Sequence, residues 1–163
     1  MRNESAYTLL EILVVLGILA LVFGVGLASF REFSRRQALE NVVRQLKGDL
    51  RLTQELALSG KKPAAGCPVL DGYRFIVNTG SVSYQINAVC TSPLTVINPP
   101  EKSVSLSSRG ISGMVVTGAN PFLFKVIGEG TDITSGTSVV ITLSQANTNN
   151  QALVTVTSGG EIR

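Results

Sequence analysis

Residues 12–30 read ILVVLGILALVFGVGLASF, 19 consecutive positions without one charged side chain. That is close to the ~20 residues an α-helix needs to cross the ~30 Å hydrocarbon layer of a bilayer. The run predicts a helix that is apolar on every side, and so one whose partners are lipid or other apolar helices. A single carboxylate, Glu11, stands at its leading edge, and Arg31, Arg35 and Arg36 follow its end. A secretory signal peptide is the rival reading, because Gly26-Leu27-Ala28 offers small residues for a cut after Ala28. Against it, the run exceeds the usual apolar core of about 7–15 residues, and Glu4 offsets Arg2 in what would be the basic leader.

The charge is as unevenly distributed as the apolarity. Residues 31–62 hold eight bases and four acids, whereas residues 63–163 hold five of each. The C-terminal hundred residues therefore have no net pull on a polyanion, which argues against nucleic acid as a partner. Residues 31–59 contain no Pro and one Gly, with apolar side chains at Leu39, Val43, Leu46, Leu50 and Ala57, widened by Val42 and Leu56. Steps of three, four and seven mark one face of an amphipathic helix. Gly60, then Lys61-Lys62-Pro63, supplies the stop. No breaker separates this stretch from the apolar run, so one helix is expected from about Tyr7 to Ser59.

Beyond Pro63, Gly, Ser, Thr, Asn and Val dominate, and short alternating runs lie between turn signals. Strands are expected at 73–77, 82–89, 103–107, 114–117, 122–127, 139–143 and 152–157, the first two joined as a hairpin through Asn78-Thr79-Gly80-Ser81. Taken in order they suggest an antiparallel meander, one face of which the stripe 39–57 would cover. The expected class is α+β, a long N-terminal helix on a small antiparallel sheet.

Catalysis finds little support. The chain has no His, which removes the commonest general base and most zinc sites. No carboxylates pair at helix spacing on a polar face, and no Gly-rich loop leads into a helix as phosphate binding requires. The sequence is read as that of a non-enzyme without cofactor or metal.

The segment Ala6-Tyr7-Thr8-Leu9-Leu10-Glu11-Ile12-Leu13-Val14-Val15-Leu16-Gly17-Ile18-Leu19 resembles the prepilin signature of type IV pilins and pseudopilins. In that family a membrane aspartyl peptidase removes a short polar leader just before an aromatic residue, which becomes the methylated amino terminus. The resemblance implies a cut between Ala6 and Tyr7, with Glu11 as the fifth mature residue. The family usually has Gly where this chain has Ala6, and Phe where it has Tyr7. A looser likeness, over 50–57, the Ser- and Gly-rich sheet and the ending 156–163, extends to H-type pseudopilins and related minor pilins. Some relatives that bind DNA end in Gly-Arg-x-Arg; here the ending is Gly160-Glu161-Ile162-Arg163, with an acid in place of the first Arg.

The resemblance divides the chain into a leader (1–6), a transmembrane and filament-core helix (7–30), an amphipathic helix half (31–62) and a β-rich head (63–163). It implies prepilin peptidase, other pilin or pseudopilin subunits, an inner-membrane assembly platform and, before assembly, membrane lipid as partners. The expected place is the bacterial inner membrane, crossed once with the head outside the cytoplasm, and then a filament. Topology rests on the motif, since the arginines after the apolar run oppose a simple positive-inside reading. Glu11 would pair with the Tyr7 amine of a neighbouring subunit and set axial register, where apolar surfaces alone could slide. Gly17, Ala20, Gly24 and Gly26 would let core helices approach closely. In an oxidising compartment Cys67 and Cys90 would form a disulfide worth about 3 kcal/mol on the chain-entropy model; the alternative is two buried thiols. A DNA-uptake or adhesive minor pilin is the alternative function, and a secreted β protein with a conventional signal peptide the next.

Overall fold

The computed structural model describes residues 8–64, 66–91 and 95–163, and within these the side chains of all but 25–29. The class is α+β. Among the described residues a single α-helix, α1 (Leu9–Leu58), precedes eight strands: β1 (Val69–Asn78), β2 (Ser83–Thr91), β3 (Thr95–Val96), β4 (Lys102–Ser105), β5 (Ile111–Thr117), β6 (Phe122–Lys125), β7 (Ser138–Gln145) and β8 (Gln151–Thr157). The expected start of the helix at Tyr7 lies outside the described residues. Two compact units divide between Gln37 and Ala38, within α1.

In the first unit no described side chain of α1 is buried. Leu9 is 83% exposed, Leu21 74% and Phe23 66%, so apolar groups face outward in every direction. Among the described residues no helix is long and apolar enough to cross a membrane; the apolar run 12–30 includes 25–29, whose side chains are outside the described set. At its end Arg36 Nε meets Glu32 Oε1 at 3.1 Å, one turn apart and in solvent, a pair worth a few tenths of a kcal/mol.

The second unit is the head. Its share of α1 buries Leu39, Val42, Leu46, Leu50, Leu56 and Ala57, the i, i+3, i+4 spacing of one helical face. Val42 is buried and Val43 only partly so, so the stripe is centred one residue away from the expected line. The helix ends in the Gly60 turn (φ 59°), where Gly60 N–H donates to Ala57 O at 3.1 Å. A left-handed residue there satisfies a terminal carbonyl at little steric cost.

The strands form two sheets, which corrects the single meander. The first has the order β3-β2-β1-β6, with β4 also on β2; the second is β5-β7-β8. β1 and β2 make the expected hairpin, with Asn78 opposite Ser83. β6 then returns from far along the chain to the other side of β1. Aromatic packing gives the reason. Phe75 lies opposite Phe122 in register, their rings 5.7 Å apart, and stacks on Tyr84 at 5.2 Å. Asn120 extends the seam, accepting from Val77 N–H (3.0 Å) and donating to Val77 O (2.9 Å). Gly72 permits the approach, since a Cβ there would lie 2.2 Å from Phe124 O.

The expected strand 122–127 ends at Lys125, because Val126–Gly128 turns as a 3₁₀ segment with Ile127 at φ 59°. The helix stripe and both sheets contribute to one core, in which Leu46, Leu50, Tyr73, Phe75, Tyr84, Phe122, Ile141 and Val154 are fully buried. Cys67 and Cys90 are joined by a disulfide with Cα atoms 5.5 Å apart, tying the approach to β1 to the end of β2.

Candidate functional site

The N-terminal end of α1 is organised by Thr8. Glu11 N–H donates to Thr8 Oγ1 (3.3 Å) and to Thr8 O (3.1 Å), and Ile12 N–H donates to Thr8 O (3.3 Å). Thr8 is thus the N-cap and Glu11 stands three residues on, the Thr-x-x-Glu spacing of a capping box. A carboxylate in the first turn also faces the positive end of the helix dipole. Glu11 therefore has a use within its own helix, and its side chain remains exposed. The spacing that reveals this is plain in the sequence, although Thr8 drew no role there. The predicted processing residues Ala6 and Tyr7 lie outside the described residues.

After Glu11 the exposed surface is continuously apolar through Phe23. Gly17 and Gly24 lie open, with nothing within 4 Å of where a Cβ would stand. Such a surface has no chemistry to perform. It can bury itself in hydrocarbon or against similar helices.

In the head, the polar group that composition alone did not single out is Asp49. It is 6% exposed, its Oδ2 accepts from Tyr84 Oη (2.6 Å) and its Oδ1 from Lys102 Nζ (2.6 Å). Thr53 Oγ1 donates to Asp49 O at 2.7 Å, and Arg109 Nη1 donates to Gln45 Oε1. Burial, and then the hydrogen bond to Asp49, push the Tyr84 phenol well above its ordinary value. Tyr84 donates and Asp49 accepts, so the pair joins helix to sheet and exposes no reactive atom. A carboxylate on the buried side of the stripe was the available signal: Asp49 sits between Leu46 and Leu50.

A concavity of about 140 Å³ is lined by Gln54, Leu58, Phe124, Lys125, Gly128, Gly130 and Gly159. It falls well below the ~300 Å³ at which small-molecule pockets begin. The disulfide occupies both cysteines, and among the described residues no three His, Cys, Asp or Glu side chains gather as metal ligands. At the C-terminus Glu161 receives Arg163 through two bonds of 2.9 Å. The guanidinium lowers the Glu161 carboxyl and is itself held charged.

No curated protein and no solved structure is matched by this chain. Residues 1–27 match the family model described as the prokaryotic N-terminal methylation motif. The matched segment takes in the capped first turn and most of the exposed apolar run. The chain thus carries a prepilin-type N-terminal methylation motif over residues 1–27, and that motif supports a type IV pilin-like protein processed by prepilin peptidase.

Proposed function

We propose that the chain is a minor pilin or pseudopilin of the H-type group, a structural subunit of a type II secretion pseudopilus or type IV pilus. In this reading prepilin peptidase cuts before Tyr7, the new amine is methylated, and the segment 12–30 holds the subunit in the inner membrane, with the head outside the cytoplasm. On assembly by the inner-membrane platform the same segment exchanges lipid for the helices of other subunits. The carrying observation is the methylation motif at 1–27, whose residues from Leu9 on lie in a helix with its described side chains up to Gln37 all left unburied. A helix apolar all round is stable only when surrounded by an apolar medium or by like helices.

Glu11 supplies the specificity that such surfaces lack. A carboxylate at mid-membrane costs about 2.5–3.5 kcal/mol on insertion scales, and less near the interface. The amine of a neighbouring Tyr7 would offset that cost at one axial position only. The reading gives the chain no catalytic role. It also leaves DNA uptake without support in the head, where the terminal Arg163 is engaged by Glu161 and the strands of the second sheet are uncharged.

The deciding experiment is the mature N-terminus, by intact mass and N-terminal peptide sequencing of protein extracted from membranes. A start at Tyr7 on an amine heavier by one methyl group is the expected result. A start at Ser29 would establish signal-peptide cleavage and end the filament reading. In a processed protein, Glu11→Ala should remain in the membrane and be lost from sheared filaments.

A further inference from the structure

The chain passes from β2 to β5 by a stretch held unlike the rest of the head. From Thr95 to Ser103 no side chain is buried. Burial resumes at Val104 and Leu106, and on the other side Cys90 is fixed in the disulfide. Between these anchors the contacts are mostly polar. Thr95 and Val96 pair with Cys90 and Val89, and Lys102 and Ser103 with Ile86 and Gln85. Ile97 N–H donates to Ala88 O at 2.9 Å. Glu101 meets Lys61 at 3.5 Å on the surface, and Lys102 Nζ reaches Asp49 Oδ1 at 2.6 Å. A segment with few buried apolar groups opens locally at far lower cost than a core.

One contact beneath this stretch favours opening. Asn87 is buried, and its Nδ2 donates to Ile97 O at 3.1 Å. The carbonyl can only accept, so it fixes which way the amide points. The amide oxygen of Asn87 is thereby left buried without a donor among the described residues. An unpartnered buried acceptor penalises the closed arrangement, and water relieves it on opening. The Lys102–Asp49 pair acts the other way. Asp49 is buried, whereas the Lys102 side chain is 38% exposed. One partner can therefore withdraw into water while the carboxylate keeps its bond from Tyr84.

We propose that residues 95–103 form a strap that opens as a unit while the rest of the head stays folded, with the Lys102–Asp49 pair as its latch. Opening bares the edge of β2 over 85–90, the stretch that β3 and the start of β4 cover, and lets water reach the Asn87 oxygen. The head thus has one state in which that edge is covered and one in which it is free. Salt weakens the latch, because one of its two charges stands partly in solvent. The strap belongs to the head alone, so this inference does not rest on the filament reading.

The test is native-state amide exchange of the full-length protein in detergent, comparing 95–103 with β7. In the wild type the strap should exchange at least about tenfold faster than β7 and respond little to low denaturant, whereas β7 responds steeply. Lys102→Met, which keeps the stem and removes the charge, should speed strap exchange about tenfold. Leu143→Ala, at a fully buried position of β7, should speed β7 by more than about tenfold and leave the strap rate unchanged. An equal acceleration of both by Leu143→Ala overturns the proposal, since the strap would then open only with the whole head. An unchanged strap rate in Lys102→Met overturns the latch. Should Leu143→Ala lose its fold, the denaturant response of the wild type decides: a strap as steep as β7 does not open on its own.

Discussion

One helix, α1, is built in two ways. Up to Gln37 its described side chains are all left unburied, Leu and Phe included. From Ala38 the same helix turns one narrow stripe inward and keeps its charges out, Asp49 excepted. Backbone hydrogen bonding is the same in both, so helix formation does not distinguish them. They differ in what surrounds the side chains. The later half is stabilised by Leu46 and Leu50 packed in the head core, whereas the earlier half buries none of its described side chains. A helix can thus be one element of secondary structure and two separate problems of solvation.

The sharpest way to break this comparison is to remove the same side chain from each half. Leu50→Ala, at a position with no exposure, should cost the head about 2–5 kcal/mol in denaturant unfolding. Leu16→Ala, at 61% exposure, should leave head unfolding within about 0.5 kcal/mol of the wild type. Equal effects would mean that the two halves share one core.

A smaller effect tests the polar junction of the later half. Asp49→Asn should lower head stability by about 1–3 kcal/mol, chiefly through the weakened acceptor left for Tyr84 and Lys102. Lys102 is partly exposed and rehydrates, which holds the figure below that of a fully buried pair. The pH dependence has a definite sign. Tyr84 is raised above its ordinary 10.0 by burial and by Asp49, so the native state retains a proton that the unfolded chain releases. The stabilisation is complete below about pH 10 and declines as pH rises toward the folded value. Tyr84→Phe should flatten this alkaline decline in equilibrium unfolding, and a decline that persists unchanged would assign it to another group.

The smallest effect belongs to the cap. Thr8→Ala removes the Oγ1 acceptor for Glu11 N–H and should cost the first turn about 1 kcal/mol, read as faster amide exchange at Glu11 with head unfolding unchanged. If exchange at Glu11 is unaltered, the Thr8 bond does not hold the end of the helix.

Much of the architecture was legible because burial leaves a period in the chain. The spacing from Leu39 to Ala57 marked the buried stripe to within a residue, and the turn 78–81 marked the first hairpin. Two features escaped. The division into two sheets did so because Phe122 pairs across β1 with Phe75, a partner that no local pattern names. The burial of Asp49 did so because its acceptability depends on Tyr84 and Lys102, residues 35 and 53 positions away. At the N-terminal site the methylation motif was readable as sequence, since a processing enzyme reads residues in order. The capping role of Thr8 was not drawn from the sequence, although its spacing to Glu11 was there; the bond from Glu11 N–H to Thr8 Oγ1 revealed it.

What the chain determines by itself is therefore local: an apolar run with one acid at its edge, a one-sided helix, strands between turns and a processing motif. Each follows from the nature and spacing of neighbouring residues. Tertiary structure alone decided that β6 lies beside β1, that residues 161–163 cover β8, and that a carboxylate could be buried at 49. Those outcomes depend on which distant backbones and side chains satisfy one another, and hydrogen-bond and packing partners far apart in sequence carry no periodic mark of each other.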